Sequence, residues 1–117
     1  MQGPTMVDYE LNELKREFLA EANEKVREIE TALNSNDDRD GKALERLAYL
    51  AHQLKGSGGS YGYASISADA AEIEKAAEKI AAGEASFDGV RGTLQQHVDS
   101  LRSRIAQSSR ELSSAHA

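Results

Sequence analysis

The chain contains no cysteine, and only one proline occurs among its 117 residues. The absence of cysteine excludes a disulfide framework, a thiolate metal site and a cysteine nucleophile. The single proline, Pro4, leaves everything from Thr5 onward free of the strongest helix breaker. No apolar run approaches the roughly 20 residues that span a bilayer, and the N-terminus lacks a signal-peptide hydrophobic region. We therefore predict a cytoplasmic protein that does not associate with membranes.

Length and charge narrow the class of protein further. A chain of 117 residues predicts one small domain with a single core. Fourteen basic residues against twenty acidic ones give a net charge of -6. This balance disfavours a phosphate-backbone ligand, so we expect no nucleic-acid partner.

The two ends of the chain differ in composition from the body. Gln2-Gly3-Pro4 is typical of a protease-site remnant left by expression, and we expect the natural chain to begin near Met6. We assign residues 1–7 to this remnant and an N-terminal tail, and residues 8–107 to the folded domain. Residues 108–117 are rich in serine and alanine, which predicts a frayed or disordered tail.

Apolar residues recur at steps of three and four along four segments, as expected of amphipathic helices. We expect Asp8 to cap the first helix, the glycine cluster after residue 55 to end the second, Gly83 to close the third and Ser86 to cap the fourth. The turn formers of residues 34–41 separate the first two helices. The four stripes are Leu11, Leu14, Phe18, Ala22, Val26, Ile29 and Leu33; Leu44, Leu47, Ala51 and Leu54; Ile66, Ala70, Ile73, Ala77 and Ile80; and Val90, Leu94, Val98, Leu101 and Ile105.

No segment alternates apolar and polar residues with a period of two, so the sequence gives no support for a sheet. Four amphipathic helices joined by short polar links most simply form an antiparallel bundle. We therefore predict an all-α fold, an antiparallel four-helix bundle.

One histidine stands beside the only cluster of glycines, on the second predicted helix. His52 lies roughly 120° from the centre of the apolar stripe, which predicts an exposed side chain. Lys55, Gly56 and Gly59 follow at offsets of three, four and seven, on the same helix face. A neutral imidazole has a free nitrogen that can attack an electrophile. Lys55 could neutralise a phosphoryl group held there, and the glycines would let another backbone approach.

Structural explanations of the same residues stay open. A lone histidine on a helix surface is usually only solvated. The glycines between Gly56 and Gly62 also suit a C-cap and a turn. They do not explain why Gly56 falls where the helix pattern still runs, since glycine there costs about 1 kcal/mol relative to alanine.

Other functional motifs fail on inspection. A Walker loop needs glycine before Lys-Ser/Thr, whereas Lys55 precedes the glycines. Residues 36–41 imitate the start of a calcium loop, but its twelfth position is Leu47 rather than glutamate. His97, on or beside the apolar face of the fourth helix, and His116, in the tail, form no pair with metal-ligand spacing. Glu-x-x-His does not occur, which excludes a di-iron bundle. We expect no metal site.

The stretch around the histidine resembles the histidine-containing phosphotransfer (HPt) domains of two-component phosphorelays. The family pattern is histidine followed by a hydrophobic residue, lysine, glycine, a small residue and glycine at offsets of two, three, four, seven and ten. Ile66 and the pair Ile73-Glu74 also match positions that the family usually fills with aliphatic residues and glutamate. The resemblance covers roughly residues 11–105. The residues that match the core pattern are His52, Leu54, Lys55, Gly56, Gly59 and Gly62.

The resemblance implies a phosphocarrier. His52 would accept a phosphoryl group on its outer ring nitrogen from an aspartyl phosphate on a receiver domain and return it to another receiver. Lys55 would assist electrostatically, and the receiver would dock on Gln53, Gly56 and Gly59. The implied partners are response-regulator receivers or a hybrid histidine kinase, with the chain a monomer. No cofactor is implied beyond Mg²⁺ on the partner receiver.

Glu74 matches a glutamate that hydrogen-bonds the histidine ring in the similar histidine domains of chemotaxis kinases. An ordinary solvated carboxylate is the alternative interpretation. Those kinases often carry a second histidine where this chain has Ala71. The sequence contains no nucleotide-binding domain, so we expect no ATP-dependent kinase activity of its own.

Two other functions stay open: a non-catalytic helical adaptor, in which His52 is incidental, and the histidine domain of a chemotaxis-type kinase.

Overall fold

Four helices make up the part of the chain that the structure describes. A computed structural model describes residues 6–35 and 41–114, with α1 at Met6–Leu33, α2 at Lys42–Ser60, α3 at Ala64–Ala81 and α4 at Phe87–Ser114. No strand occurs in these two ranges, and the predicted all-α class is confirmed. Residues 36–40 of the turn predicted at 34–41, the remnant at residues 2–4 and His116 lie outside the described residues.

The helices form an antiparallel bundle, and the predicted architecture is confirmed. Both α1 and α3 pack against α2 and α4, so each helix contacts two neighbours around one core. All four apolar stripes contribute side chains to it, among them the fully buried Ile29, Leu54, Ile73 and Leu101. Burying one such side chain contributes about 1.5–3 kcal/mol. None of the described helices combines the length and the apolarity needed to cross a membrane.

The helix ends follow the sequence signals at two of the expected positions. Ser86 Oγ accepts a hydrogen bond from the Gly89 backbone N–H at 3.0 Å, which is the expected cap of α4. Gly83 has a φ of +76° and ends α3 in the left-handed conformation that glycine adopts without strain. Asp8 was expected at the N-cap of α1, but this helix begins at Met6. Asp8 lies in the first turn, where a carboxylate favours the helix dipole.

The first part of α1 is not covered as its apolar pattern predicted. Leu11 and Leu14 are 40% and 46% exposed. From Asp8 onward, Phe18 is the first buried residue of this helix, and its ring stacks on Tyr61 and Tyr63 at the α2–α3 turn, with centroids 5.3 and 5.7 Å away. The stretch of α1 before Phe18 therefore lies beyond that turn, where α2 and α3 no longer cover it.

Residues 108–114, predicted as part of a frayed tail, are helical. The structure continues α4 to Ser114, and Leu112 joins the hydrophobic core. The serine- and alanine-rich composition suggested fraying, but burial of Leu112 supplies the packing energy that keeps the last turns ordered. Residues 115–117 lie outside the described residues.

The sequence predicted that the glycine cluster ends α2, and this prediction is wrong. Gly56, Gly58 and Gly59 are all helical, and α2 ends at Ser60. The change of direction falls at Gly62, whose φ is +84°. Tertiary packing of the last turns of α2 on α3 outweighs the low helix propensity of glycine.

A buried carboxylate links α3 to α4. Asp69 accepts hydrogen bonds from Ser100 Oγ at 2.6 Å and Arg104 Nε at 2.7 Å, and His97 Nδ1 lies 3.0 Å from it. Burial alone would raise the pKa of Asp69, but the hydrogen bonds from Ser100, His97 and Arg104 outweigh it and lower the pKa. His97, predicted on or beside the apolar face, is thus a half-buried partner of this carboxylate.

Candidate functional site

His52 projects from the middle of α2 into solvent. Its neighbours Ala51 and Leu54 are completely buried, and the helical repeat turns the histidine side chain away from the core. That side chain is 67% exposed, as the sequence predicted. A second macromolecule can therefore reach the ring.

Glu74 of α3 bridges the histidine and the lysine of α2. Its Oε2 lies 2.6 Å from His52 Nδ1, and its Oε1 accepts a hydrogen bond from Lys55 Nζ at 2.8 Å. The Glu74 side chain is only 14% exposed. The carboxylate is thus a covered, doubly bonded group and not the solvated helix-flank residue of the alternative interpretation.

The contacts of Glu74 with Lys55 and His52 determine which ring nitrogen of a neutral His52 carries the proton. The hydrogen bond from Lys55 lowers the pKa of Glu74; burial opposes this effect and the hydrogen bond to His52 adds to it. The hydrogen bond with Glu74 in turn raises the pKa of Lys55. Glu74 is therefore ionised at neutral pH, and an ionised carboxylate can only accept hydrogen bonds. A neutral His52 accordingly carries its proton on Nδ1, which leaves the Nε2 lone pair free of any partner among the described residues.

Because the pKa of Glu74 is lowered by folding, its ionised form favours the folded state. This contribution to stability is present above the pKa of an unfolded glutamate, and it is lost as the pH falls through the lower pKa of the folded protein. Glu74 is thus ionised throughout the neutral range.

Gly58 sets how closely α3 approaches this part of α2. A Cβ at this buried position would lie 3.2 Å from the Ser67 backbone nitrogen and 3.5 Å from Ile66 Cγ2. Ser67 Oγ donates a hydrogen bond to the Lys55 backbone carbonyl at 2.7 Å, next to this close contact. Glu74 follows Ser67 by seven residues, on the same helix face, so the contact at Gly58 carries the carboxylate toward His52.

Sequence reasoning overlooked Gly58, although a signal was present. The buried stripe of α2 includes Leu47, Ala51 and Leu54, and one more step of four residues reaches Gly58. A glycine on a buried stripe indicates close approach of another backbone. The interpretation of the cluster had considered only the exposed face.

The three residues expected to form the docking surface lie around the histidine. Gly56 is exposed, and a Cβ there would meet nothing within 4 Å. Gly59 is also exposed, and its added Cβ would be 3.7 Å from Ser67 Oγ, an ordinary contact. Gln53 is half-buried, and its Nε2 donates to Tyr49 Oη at 2.8 Å. The exposed glycines therefore leave no large side chain beside the ring at these two positions.

An open recess of about 480 Å³ adjoins the histidine on the side of α1. His52, Gln53, Gly56 and Ser60 line it from α2, and Lys25 lines it from α1. Sequence reasoning missed Lys25, because nothing in the spacing of α1 relates this lysine to the histidine.

Substitution of Gly56 measures how much a glycine within α2 lowers the stability of the folded protein. Its backbone is helical, and a methyl group would enter open space. We expect Gly56→Ala to raise the free energy of unfolding by about 0.5–1 kcal/mol, because alanine is the better helix former. Urea unfolding followed by circular dichroism at 222 nm measures it.

The matched control is Gly62→Ala. A methyl group there also enters open space, but φ is +84°. We expect this variant to lose about 1–2 kcal/mol through backbone strain alone. Equal losses at both positions would contradict the helical geometry at Gly56.

The described residues contain no group of three or more histidine, aspartate or glutamate side chains placed to hold a metal ion. The chemistry available at the site is that of the imidazole, the carboxylate and the lysines around them. A nucleophilic nitrogen with its opposite edge fixed by a carboxylate suits attack on an electrophilic phosphorus.

Comparison with protein families decides the family. The Hpt domain model matches residues 13–107, most of the chain. The chain belongs to the Hpt domain family. The match supports a part for this Hpt domain in histidine phosphotransfer and phosphorelay signalling, and Hpt domains in general work with receiver domains and kinases. Neither the comparison with curated proteins nor that with solved structures gave a match.

Proposed function

We propose that this Hpt domain accepts a phosphoryl group on His52 Nε2 from a receiver aspartyl phosphate and passes it to another receiver. The observation that carries the proposal is the 2.6 Å contact between His52 Nδ1 and Glu74 on an otherwise exposed ring. This contact holds Nδ1 in place and leaves Nε2 exposed to a partner.

The transfer proceeds by direct displacement. The Nε2 lone pair attacks phosphorus, the bond between phosphorus and the aspartyl oxygen breaks, and the carboxylate of the donor leaves with the electron pair. The ring then carries a positive charge and keeps its Nδ1 proton beside the Glu74 carboxylate. In the onward step a carboxylate of the second receiver attacks phosphorus, the N–P bond breaks, and neutral imidazole is restored.

Glu74 and Lys55 act through the histidine ring. The carboxylate keeps the proton on Nδ1 and stabilises the positive charge that develops on the ring. Lys55 holds Glu74 ionised and fixed, because its ammonium lies 2.8 Å from Oε1. The exposed glycines, Gly56 and Gly59, leave space for the receiver surface beside the ring. Mg²⁺ is expected on the partner receiver only, and the proposed transfer needs no cofactor on this chain.

The histidine domain of a chemotaxis-type kinase is the second candidate, because the contact between Glu74 and His52 is the arrangement that such domains use. The donor would then be ATP, through a separate kinase domain. Ala71, in place of a second histidine, argues for the receiver as donor.

The deciding experiment offers the protein each donor in turn. Incubation with a ³²P-labelled receiver should transfer label to an acid-labile, alkali-stable phosphohistidine. Transfer only from ATP with a kinase domain would support the second candidate. Receiver binding without any label transfer would overturn both and leave the adaptor.

Glu74→Gln tests the positioning role of the carboxylate. A glutamine amide can donate to Nδ1 and favour the tautomer with its proton on Nε2, where the lone pair is lost. We expect phosphotransfer from the receiver to slow by about 10-fold or more. ¹⁵N chemical shifts of the His52 ring should show the change of tautomer.

Glu72→Gln is the control, because Glu72 is an exposed carboxylate on the same helix. It should keep both the rate and the ring shifts. A Glu74→Gln protein with the wild-type tautomer and rate would show that the carboxylate does not position the ring.

A further inference from the structure

We propose that Lys25 of α1 is the cation that contacts the phosphoryl group once it is on His52. The proposal rests on the proposed function, since it concerns the phosphorylated form of the same histidine. The two lysines then have different roles: Lys55 holds the Glu74 carboxylate, and Lys25 contacts the phosphoryl group.

The first step of the argument is the direction of the reactive nitrogen. His52 Nδ1 faces Glu74, which belongs to α3. Nε2 lies across the imidazole from Nδ1 and therefore points away from that carboxylate. The recess beside His52 is bordered by α1 and α2, and neither Lys55 nor Glu74 lines it. A phosphoryl group on Nε2 is thus placed toward the side of the ring that Lys25 borders.

The second step is the helix register, which brings Lys25 to this level of the bundle. Arg46 Nη2 lies 2.7 Å from Glu28 Oε2 and pairs α2 with α1. In antiparallel helices, moving one turn back from Glu28 to Lys25 corresponds to moving one turn forward from Arg46, to the level of Tyr49. Helical side chains tilt toward the N-terminus of their own helix, so the long Lys25 side chain extends toward the next turn of α2, which holds Gln53. Lys25 and Gln53 do line the same recess.

The third step is the state of the two ammonium groups. Lys55 is already engaged by Glu74 at 2.8 Å. Lys25 is only 22% exposed, yet its one ion pair with a described residue, Glu21 of the same helix, spans 4.0 Å, the outer limit for such a pair. Lys25 therefore keeps an ammonium group that can turn to a phosphoryl oxygen without breaking a close contact.

The test uses phosphoramidate, whose N–P bond breaks with loss of ammonia as the His52 N–P bond forms. ³¹P NMR then follows the phosphohistidine resonance against pH. A nearby cation favours the less protonated form of the phosphohistidine, so Lys25→Met should raise the midpoint of this titration by about 0.5. Methionine keeps an unbranched apolar stem, which preserves packing, and Lys25→Arg should restore the midpoint.

Lys79→Met is the matched control, because it removes the same charge from an exposed position on α3 and should leave the midpoint unchanged. An unchanged midpoint in folded Lys25→Met and Lys25→Gln, with normal phosphohistidine formation, would overturn the role of Lys25 alone. No phosphohistidine on His52 in the wild-type protein would overturn the proposed function and this proposal together.

Discussion

His52→Gln is expected to abolish phosphoryl acceptance completely. Glutamine has no nucleophilic nitrogen, so the N–P bond cannot form. The substituted side chain is largely exposed, and its amide can still hydrogen-bond Glu74, so the free energy of unfolding should change by less than about 1 kcal/mol. Labelling from a phosphorylated receiver, together with urea unfolding, measures both quantities.

His97→Gln is the control for this variant. His97 is half-buried against Asp69 between α3 and α4, far from the chemistry proposed for α2. We expect it to keep the full label even if its stability falls. Label retained in His52→Gln and lost in His97→Gln would move the acceptor to the fourth helix and contradict the assignment.

Gly58→Leu is expected to cause the largest loss of stability among these variants, about 3 kcal/mol or more. Its Cβ alone would lie 3.2 Å from the backbone of Ser67, and the rest of a leucine side chain would have to push α3 away from α2. A loss of this size is a large part of the total stability of a small domain. Thermal and urea unfolding by circular dichroism measure it.

Gly59→Leu provides the comparison, since it adds the same side chain one residue later on the exposed face. Its Cβ would make only an ordinary contact, 3.7 Å from Ser67 Oγ. We expect its stability to stay within about 1 kcal/mol of the wild-type value, because leucine is a good helix former. If receiver docking requires clearance at this position, phosphotransfer by the folded Gly59→Leu protein should be blocked. Equal stability losses at the two positions would contradict the close contact at Gly58.

The sequence by itself determined the fold class and the exposure of the histidine. Spacings of three and four residues specify which side of each helix is apolar, and four such helices with short links have few ways to bury those sides. His52 then points outward because Ala51 and Leu54 point inward. These properties depend on periodicity along one helix, which a sequence shows directly.

Local signals failed where their effect depended on a distant segment. The glycines of α2 argue locally for a helix end, but the close contact between Gly58 and Ser67 keeps the helix intact to Ser60. In the same way, Leu11 continues a regular apolar stripe but stays exposed, because α2 and α3 turn back at the level of Phe18.

Only the tertiary structure decided how the groups around the ring are arranged. Glu74 matched a family position, but whether it reached the histidine depended on the separation of α2 and α3, which Gly58 controls. Lys55 was expected to face the phosphoryl group, and the folded chain pairs it with Glu74. Lys25 comes beside His52 from another helix, 27 residues earlier in the chain. Such neighbours are set by the packing of helices against each other, and the spacing of residues within one helix does not encode it.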